Sequence, residues 1–355
     1  MKIGNLDLGT KLFVAPMAEV TDSSFRKIAK EHGAGLTFTQ MISALGAVKN
    51  GFETLRHLSF HRSEKPIGVQ ILGNDPAILG EAVKEIIKFN PDLIDINCGC
   101  PVEKVVCHKM GAALLDDPVH MGKIIKKMTD ASGGVPITLK VRLGKDRKKI
   151  NVIEIAKTAE DNGASMITVH ARTRADKYDS EPDWNWLKKV KEQVKIPVVG
   201  NGSLFTPQDV VKMLDETGCD SAMIARGALG NPFIFERFNN LIEKGIDTGI
   251  PSVETVNKVL HKHLKLLQAE YGEPLCLDKA KKNSIWYFRD YAGIDEFLNN
   301  VFSAKDCFKL LEIVDDHVEK NLNGYYKHSA PHEVNTRFKK KVLFWLAEEN
   351  VLTLG

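Results

Sequence analysis

The sequence predicts an α/β protein: a (β/α)8 TIM barrel followed by a C-terminal all-helical domain. Two observations carry that expectation. Eight short apolar, β-branched runs alternate with helix-period segments before residue 230, and after Pro232 the strand-like runs stop. The runs are Leu12–Ala15, Gly35–Met41, Ile67–Leu72, Leu93–Asn97, Ile137–Val141, Met166–His170, Pro197–Gly200 and Ser221–Ala225. Each ends in a glycine or polar break, and eight such units favour a closed barrel over an open doubly wound sheet. A barrel of about 250 residues with a smaller appendage fits the 355-residue chain. The expected division is residues 1–240 for the barrel, 241–320 for the helical domain and 321–355 for an extension.

Taken along the chain, the first strand closes on Pro16-Met17. Asp75-Pro76 places an N-cap and a first-turn proline before Ile78, Val83 and Ile86, and Asp117-Pro118 and Thr206-Pro207 repeat the device. Ile150, Ile153, Ile155, Ala156 and Ala159 follow a helical stripe that Asn162-Gly163 stops. From Val253 to Glu319 the pattern is helical, marked by Leu260, Leu264, Leu267, Trp286, Phe297, Leu298, Phe302, Leu310 and Leu311. Lys258, Lys262, Lys265, Lys279, Lys281, Lys282 and Arg289 stud its polar positions, interleaved with Trp286, Tyr287 and Tyr291. That mixture is either a nucleic-acid surface, with cations on phosphates and rings stacked on bases, or an ordinary solvated lysine face. Arg337 and Lys339 to Lys341, before Val342 to Trp345, suggest no particular role.

Composition narrows the class. The 43% hydrophobic and 27% charged content is that of an ordinary soluble protein. No apolar run approaches the roughly 20 residues of a membrane span, and Met1-Lys2-Ile3-Gly4-Asn5 lacks a signal-peptide core. A cytoplasmic protein is expected, with no membrane partner and no obligate protein partner. Six cysteines, two of them one residue apart, do not form a secreted disulfide framework, so reduced thiols are expected. With a net charge of only +3, a polyanionic partner must be met by a local basic patch.

The chemistry concentrates at the strand ends. From Asp95-Ile96-Asn97-Cys98-Gly99-Cys100-Pro101 to Gly111-Ala112-Ala113-Leu114-Leu115, an apolar strand breaks into a turn, because Gly99 loosens the backbone and Pro101 lacks an N–H. Cys100 then sits at the mouth where barrels gather catalytic groups, either as a buried structural cysteine or as an acid, nucleophile or ligand. The other strand ends supply Gln40, Gln70, Asn97, Lys140 with Arg142, His170 with Arg172, Asn201-Gly202 and Arg226-Gly227. Buried donors cost free energy unless paired, so a bound polar ligand is the economical explanation of this layer. Gly200-Asn201-Gly202-Ser203 and Ala225-Arg226-Gly227-Ala228 lie after the last two strands, where such barrels hold a phosphate; plain left-handed turns are the alternative. The Gly200-x-Gly202 pair lacks the third glycine of a dinucleotide fingerprint. Lys140 can stabilise charge on a reduced flavin ring and Gln70 can match its imide edge, which together with the phosphate site suggests FMN. Zinc on Cys98, Cys100, Cys107 and His108 is the rival, but Cys98 and Cys100 are spaced too closely and alternate in direction, so no metal is expected there.

These residues resemble the dihydrouridine synthases, flavoenzymes that reduce uridine in RNA, and most nearly their bacterial B-type branch. The resemblance lies in Ala15-Pro16-Met17-Ala18, Val20-Thr21-Asp22, Val69-Gln70-Ile71-Leu72-Gly73, Asn97-x-Gly99-Cys100-Pro101-x-x-Lys104-Val105 and Lys140-Val141-Arg142-Leu143-Gly144. It continues in Val169-His170-Ala171-Arg172-Thr173-Arg174, Asn201-Gly202, Met223-Ile224-Ala225-Arg226-Gly227-Ala228 and Ala280-Lys281-Lys282-Asn283-x-x-Trp286-Tyr287, spanning roughly residues 10 to 315.

The resemblance implies FMN as cofactor, NADPH or NADH as electron donor, and RNA, in the first place tRNA, as partner. It implies that Pro16 and Met17 contact the flavin and that Gln70, Lys140 and His170 hold its ring and ribityl chain. Asn201, Gly202, Ala225, Arg226 and Gly227 would hold the phosphate. Asn97 and Tyr178 would contact the target uracil with Arg172 on the substrate side, Lys281 and Lys282 would meet RNA, and Cys100 would be the acid. Hydride would pass from flavin N5 to uracil C6, and C5 would take a proton from a thiol that, with an ordinary pKa of about 8.5, is mostly protonated at neutral pH. A uracil in folded RNA must be flipped out to reach a barrel mouth, which gives the helical domain a holding role.

The sequence departs from the family at Gln40, Asn283, Ala225, Cys98 and the segment Val106 to Met110, and Cys107 stays open to a redox role. Two rivals remain: an FMN-dependent dehydrogenase of a free pyrimidine, against which the basic helical domain argues, and a non-catalytic RNA-binding barrel, against which Cys100, Lys140 and His170 argue.

Overall fold

Apolar strands buried on both faces close into a barrel in the computed structural model, which describes residues 1–4, 6–8, 12–273 and 275–322. The barrel strands are β1 (Leu12–Val14), β2 (Thr37–Phe38), β3 (Ile67–Leu72), β4 (Leu93–Cys98), β5 (Ile137–Arg142), β6 (Met166–His170), β7 (Val198–Asn201) and β8 (Ser221–Ile224). Neighbours follow the order β1-β8-β7-β6-β5-β4-β3-β2, and a parallel bridge between Phe13 and Leu36 joins the two ends. Every residue of β3 and β4 is buried, as in a parallel sheet covered by helices outside and filled by side chains within.

The outer layer contains α1 (Ser23–Glu31), α2 (Pro76–Ile86), α3 (Pro118–Ala131), α4 (Val152–Asp161), α5 (Asn185–Lys191), α6 (Pro207–Thr217) and α7 (Phe233–Lys244). The proline-marked starts form as read. Asp75 accepts from the N–H groups of Ala77 and Ile78, Asp117 from that of His120, and Thr206 forms a capping box with Asp209. Ile150 leaves the expected stripe of α4 for a two-residue strand, Lys149–Ile150, paired with Gly144–Asp146.

The second strand is shorter than the run Gly35–Met41. After Phe38 the chain turns, and Ile42–Ser43 then pairs with the end of β3. Gln40 lies in that turn, and its side-chain carbonyl accepts the N–H of Glu19, a residue at φ 61°, at 2.7 Å. The residue that looked like a strand-end site group therefore closes the loop after β1.

Helices α8 (Val253–Tyr271), α9 (Leu275–Phe288), α10 (Ile294–Ser303) and α11 (Cys307–Lys320) follow. The expected boundary at 240/241 falls inside α7; the stretch without helix or strand runs from residue 245 to 252. Of the expected extension, 321–355, only Asn321 and Leu322 are described; the basic and apolar cluster from Arg337 to Trp345 lies outside the described residues. No helix among the described residues is long and apolar enough to cross a membrane.

The four helices dock on the barrel through specific polar contacts. Glu270 of α8 accepts the N–H of Ser24 at 2.9 Å and its hydroxyl at 2.6 Å, satisfying donors at the start of α1. Tyr271 donates to Asp22, and Lys279 lies 3.4 Å from Glu19 and 3.6 Å from Asp22. Burial in this interface pushes the Asp22 carboxyl up to about 6. Trp286 and Tyr287 are 3% and 4% exposed, and Tyr291 gives its hydroxyl to the Pro251 carbonyl. These rings are therefore core, and of the two readings left open the one in which they stack on bases is ruled out for them: α9 is wedged between the barrel and its sister helices, which bury its aromatic side.

Candidate active site

Parallel register and strand alternation build the site. Gln70 stands opposite Asp95, Asp95 opposite Thr138, Asn97 opposite Lys140, and His170 opposite both Arg142 and Asn201. Lys140 on β5 reaches Asn201 on β7 at 3.4 Å, over the intervening β6, so these side chains occupy the barrel interior.

One chain of hydrogen bonds runs from that interior to the mouth. Thr138 and Gln70 donate to the two oxygens of Asp95, at 2.7 and 2.8 Å. Asn97 donates to the Gln70 carbonyl at 2.8 Å, and its own carbonyl accepts the N–H groups of Gly99 and Cys100 at 3.1 and 2.9 Å. The Cys100 loop is thus fixed by a buried amide. Gln70 and Asn97 each donate one of their two amide hydrogens in this chain.

Asp95 is the member that sequence reading missed. An acidic residue inside Leu93-Ile94-Asp95-Ile96, two positions before Asn97 and so on the same face, was the available signal. Burial pushes its carboxyl up to about 6.

The rest of the mouth is cationic. Burial, and then Arg142, bring Lys140 down to about 8, and burial together with Arg142 and Lys140 holds His170 well below the usual imidazole range. Arg172 Nη1 lies 3.1 Å from His170 Nε2; since a guanidinium only donates, Nε2 accepts and the neutral ring carries its proton on Nδ1. Arg142 donates to the carbonyls of Gly99 and Thr173, Arg172 to the Ser180 carbonyl and the Ser203 hydroxyl, and Arg226 to the Tyr178 carbonyl. Tyr178 lies under both Arg142 and Arg226, 6.2 Å from the His170 ring.

These contacts correct the argument that unpaired donors alone demand a ligand. Loop carbonyls pair the guanidiniums but carry no net charge, and although Asp176 and Glu181 act on Arg172 and Asp179 on Arg226, burial still lowers both, so a bound anion would be stabilised there.

The turns after β7 and β8 suit that anion. The N–H groups of Gly202, Ser203, Arg226 and Gly227 meet no backbone carbonyl among the described residues. The turns are in van der Waals contact, because a Cβ on Gly227 would overlap the Leu204 carbonyl and lie 3.1 Å from Phe205 Cα. Gly202 adopts φ 141°. Pro16 and Met17 lie at the end of β1, where Thr21 bonds both ways with the Met17 backbone, and Ala225 precedes Arg226 at φ −110°.

Cys100 is half-buried at the mouth, and burial pushes its thiol up against the opposing influence of the Val102 N–H, Arg142 and Lys140. The residues weighed for zinc do not gather: Cys98 is wholly buried, whereas Cys107 and His108 lie on the surface, 3.2 Å from each other. Lys281 and Lys282 stand apart on α9. Lys281 donates to the Phe302 carbonyl at 3.4 Å, and burial and Lys279 lower Lys282.

The family profile described as dihydrouridine synthase matches residues 13–323. The tRNA-dihydrouridine synthase B of Vibrio vulnificus (strain CMCP6) is 37% identical over 331 residues, covering 93% of this chain and all of the relative. The protein of that name from Pseudomonas aeruginosa is 35% identical, with 84% and 89% covered. A probable tRNA-dihydrouridine synthase of Rickettsia conorii is 32% identical, with 90% and 98% covered. Among solved structures, histamine dehydrogenase from Rhizobium sp. 4-9 superposes with a TM-score of 0.55 at 15% identity, over 75% of this chain and 50% of that one. That likeness establishes the barrel fold.

Proposed function

The chain belongs to the dihydrouridine synthase family, and from that premise we propose that it reduces the C5–C6 bond of specific uridines in tRNA, in the cytoplasm, with FMN at the barrel mouth and NADPH or NADH as donor. The observation that carries the reading is a cationic mouth whose acid-bearing loop is tied to a buried carboxylate through Gln70 and Asn97.

The donor set fits FMN. Gln70, Lys140, His170 Nδ1–H, Pro16 and Met17 would hold the ring and ribityl chain, and Asn201, Gly202, Ala225, Arg226 and Gly227 the phosphate. Bound there, the flavin would supply hydride for C6 of the uracil. Asn97 offers its remaining amide hydrogen to a uracil carbonyl, Tyr178 lies along the ring, and Arg172 holds the substrate side. Cys100 gives its proton to C5 from the opposite face, and burial favours the protonated thiol that this step requires. The helical domain, residues 241–320 in the expected division, holds the rest of the tRNA while the base is flipped out.

The test is direct. The purified protein should be yellow and, with NADPH, should make a tRNA transcript heavier by two hydrogens at defined uridines. A protein that takes up no flavin, or that reduces free uracil as fast as tRNA, refutes the reading.

Two variants separate cofactor from RNA. Gly227→Ala should lower FMN affinity, by roughly 5–150-fold if the overlap costs about 1–3 kcal/mol at the phosphate turn; retained flavin after dialysis would count against the assignment. Charge reversal at Lys281 and Lys282 should weaken tRNA binding and steepen no other defect, so that FMN content and flavin reduction stay level; unchanged affinity in a filter-binding assay would remove both lysines from the interface.

A further inference from the structure

Far along the chain from the barrel strands, three side chains able to ligate a metal converge: Glu273 just before α9, Cys276 in its first turn, and Cys307 at the first position of α11, with ligand atoms all within 4.8 Å of one another. The two sulfurs are 2.9 Å apart, although they stand 31 positions apart in sequence. We propose that Glu273, Cys276 and Cys307 form a zinc site that ties the start of α9 to the start of α11.

The chemistry favours a cation over any other use of the cluster. Two thiols and a carboxylate, each with a ligand atom within 4.8 Å of the others, surround a space in which one cation could be held by all three. Two thiolates with one carboxylate are ligands of the kind zinc takes, with a fourth, tetrahedral position left to solvent. Cys307 is half-buried and Glu273 exposed, so that position is open to water. Binding releases the two thiol protons to solvent as the metal–sulfur bonds form. A zinc with bonds of about 2.3 Å holds its sulfurs about 3.7 Å apart, so the pair must open by less than about 1 Å. A disulfide is the competing outcome, but it is neutral and has no use for the carboxylate that faces both sulfurs. With three protein ligands, the metal should exchange readily.

The test uses the full-length holoenzyme, purified with reductant, stripped with a chelator and titrated with cobalt(II). One equivalent should bind with tetrahedral visible bands in the red, clear of flavin absorption, and zinc should bleach them. Cys276→Ser and Cys307→Ser should each lose the bands, and Glu273→Gln, a surface change that leaves both thiols in place, should lower cobalt affinity. Lack of cobalt uptake by the reduced wild-type protein overturns the proposal, as do bands that persist in both serine variants or affinity unchanged in Glu273→Gln. Isolation as a metal-free species two hydrogens lighter, the mark of a disulfide, overturns it as well. If a serine variant fails to fold, the wild-type titration and Glu273→Gln still decide.

Discussion

Cys100→Ala is expected to bind FMN and accept electrons from NADPH as the parent does, while reducing uridine in tRNA slower by roughly 10²–10⁴-fold, the usual contribution of a positioned general acid. The selectivity of the loss follows from how the loop is held. The Cys100 carbonyl accepts the Ala112 N–H at 2.9 Å and its N–H goes to Asn97, so the backbone path does not depend on the thiol. Removing the sulfur therefore removes a proton source and leaves the shape. The pH profile carries the second signature. An acid works while protonated, and burial raises this thiol, so the rate should hold through neutral pH and fall only as pH rises through that elevated value. In the alanine variant that alkaline limb should disappear. Cys98→Ala is the matched control: that side chain is wholly buried, facing core, and its loss should cost stability on the order of 1 kcal/mol without touching the pH profile. Equal uridine reduction by the two variants would remove Cys100 from the chemistry.

The place of Cys100 at a strand end was legible in the sequence, and other parts of the site were not, for physical reasons. Cys100 follows a strand whose apolar run is unmistakable, and a strand end in a barrel fixes direction and neighbourhood at once. The period-2 logic that places Asn97 in the interior also places Asp95 there. The guanidiniums were visible as residues but not as partners, since the carbonyls of Thr173, Ser180 and Tyr178 come near them only after the loops have folded. The aromatic rings of α9 misled for a different reason. All six residues from Asn283 to Phe288 are buried, because the helix is covered on more than one side. A helix without a wet stripe gives no period from which to tell a stacking ring from a core ring. The Cys276–Cys307 pair was invisible because nothing local relates the starts of two separate helices.

The placement of those helices should fail at one glycine. Gly230→Ala is expected to destabilise the protein by about 1–2 kcal/mol for a left-handed backbone and on the order of 1–3 kcal/mol more for overlap. Gly230 sits at φ 64°, and an added Cβ would fall on the carbonyl group of Trp286 and the N of Tyr287, closer than real Cβ atoms come to anything. Those are backbone atoms in the last turn of α9, so no side-chain rotation relieves the clash, and the end of the helix itself must move. Gly245→Ala isolates the first contribution. It occupies the same conformation at φ 69°, after α7, with nothing within 4 Å of the new methyl. The difference between the two variants therefore reads the docking of the helical layer on the barrel. If that docking aims tRNA at the mouth, Gly230→Ala should also raise KM for tRNA while NADPH oxidation without tRNA holds, whereas Gly245→Ala should change neither. Matching melting curves and matching KM values for the two would mean that the close approach at Gly230 does not set where α9 lies, and that the RNA is positioned by the barrel loops alone.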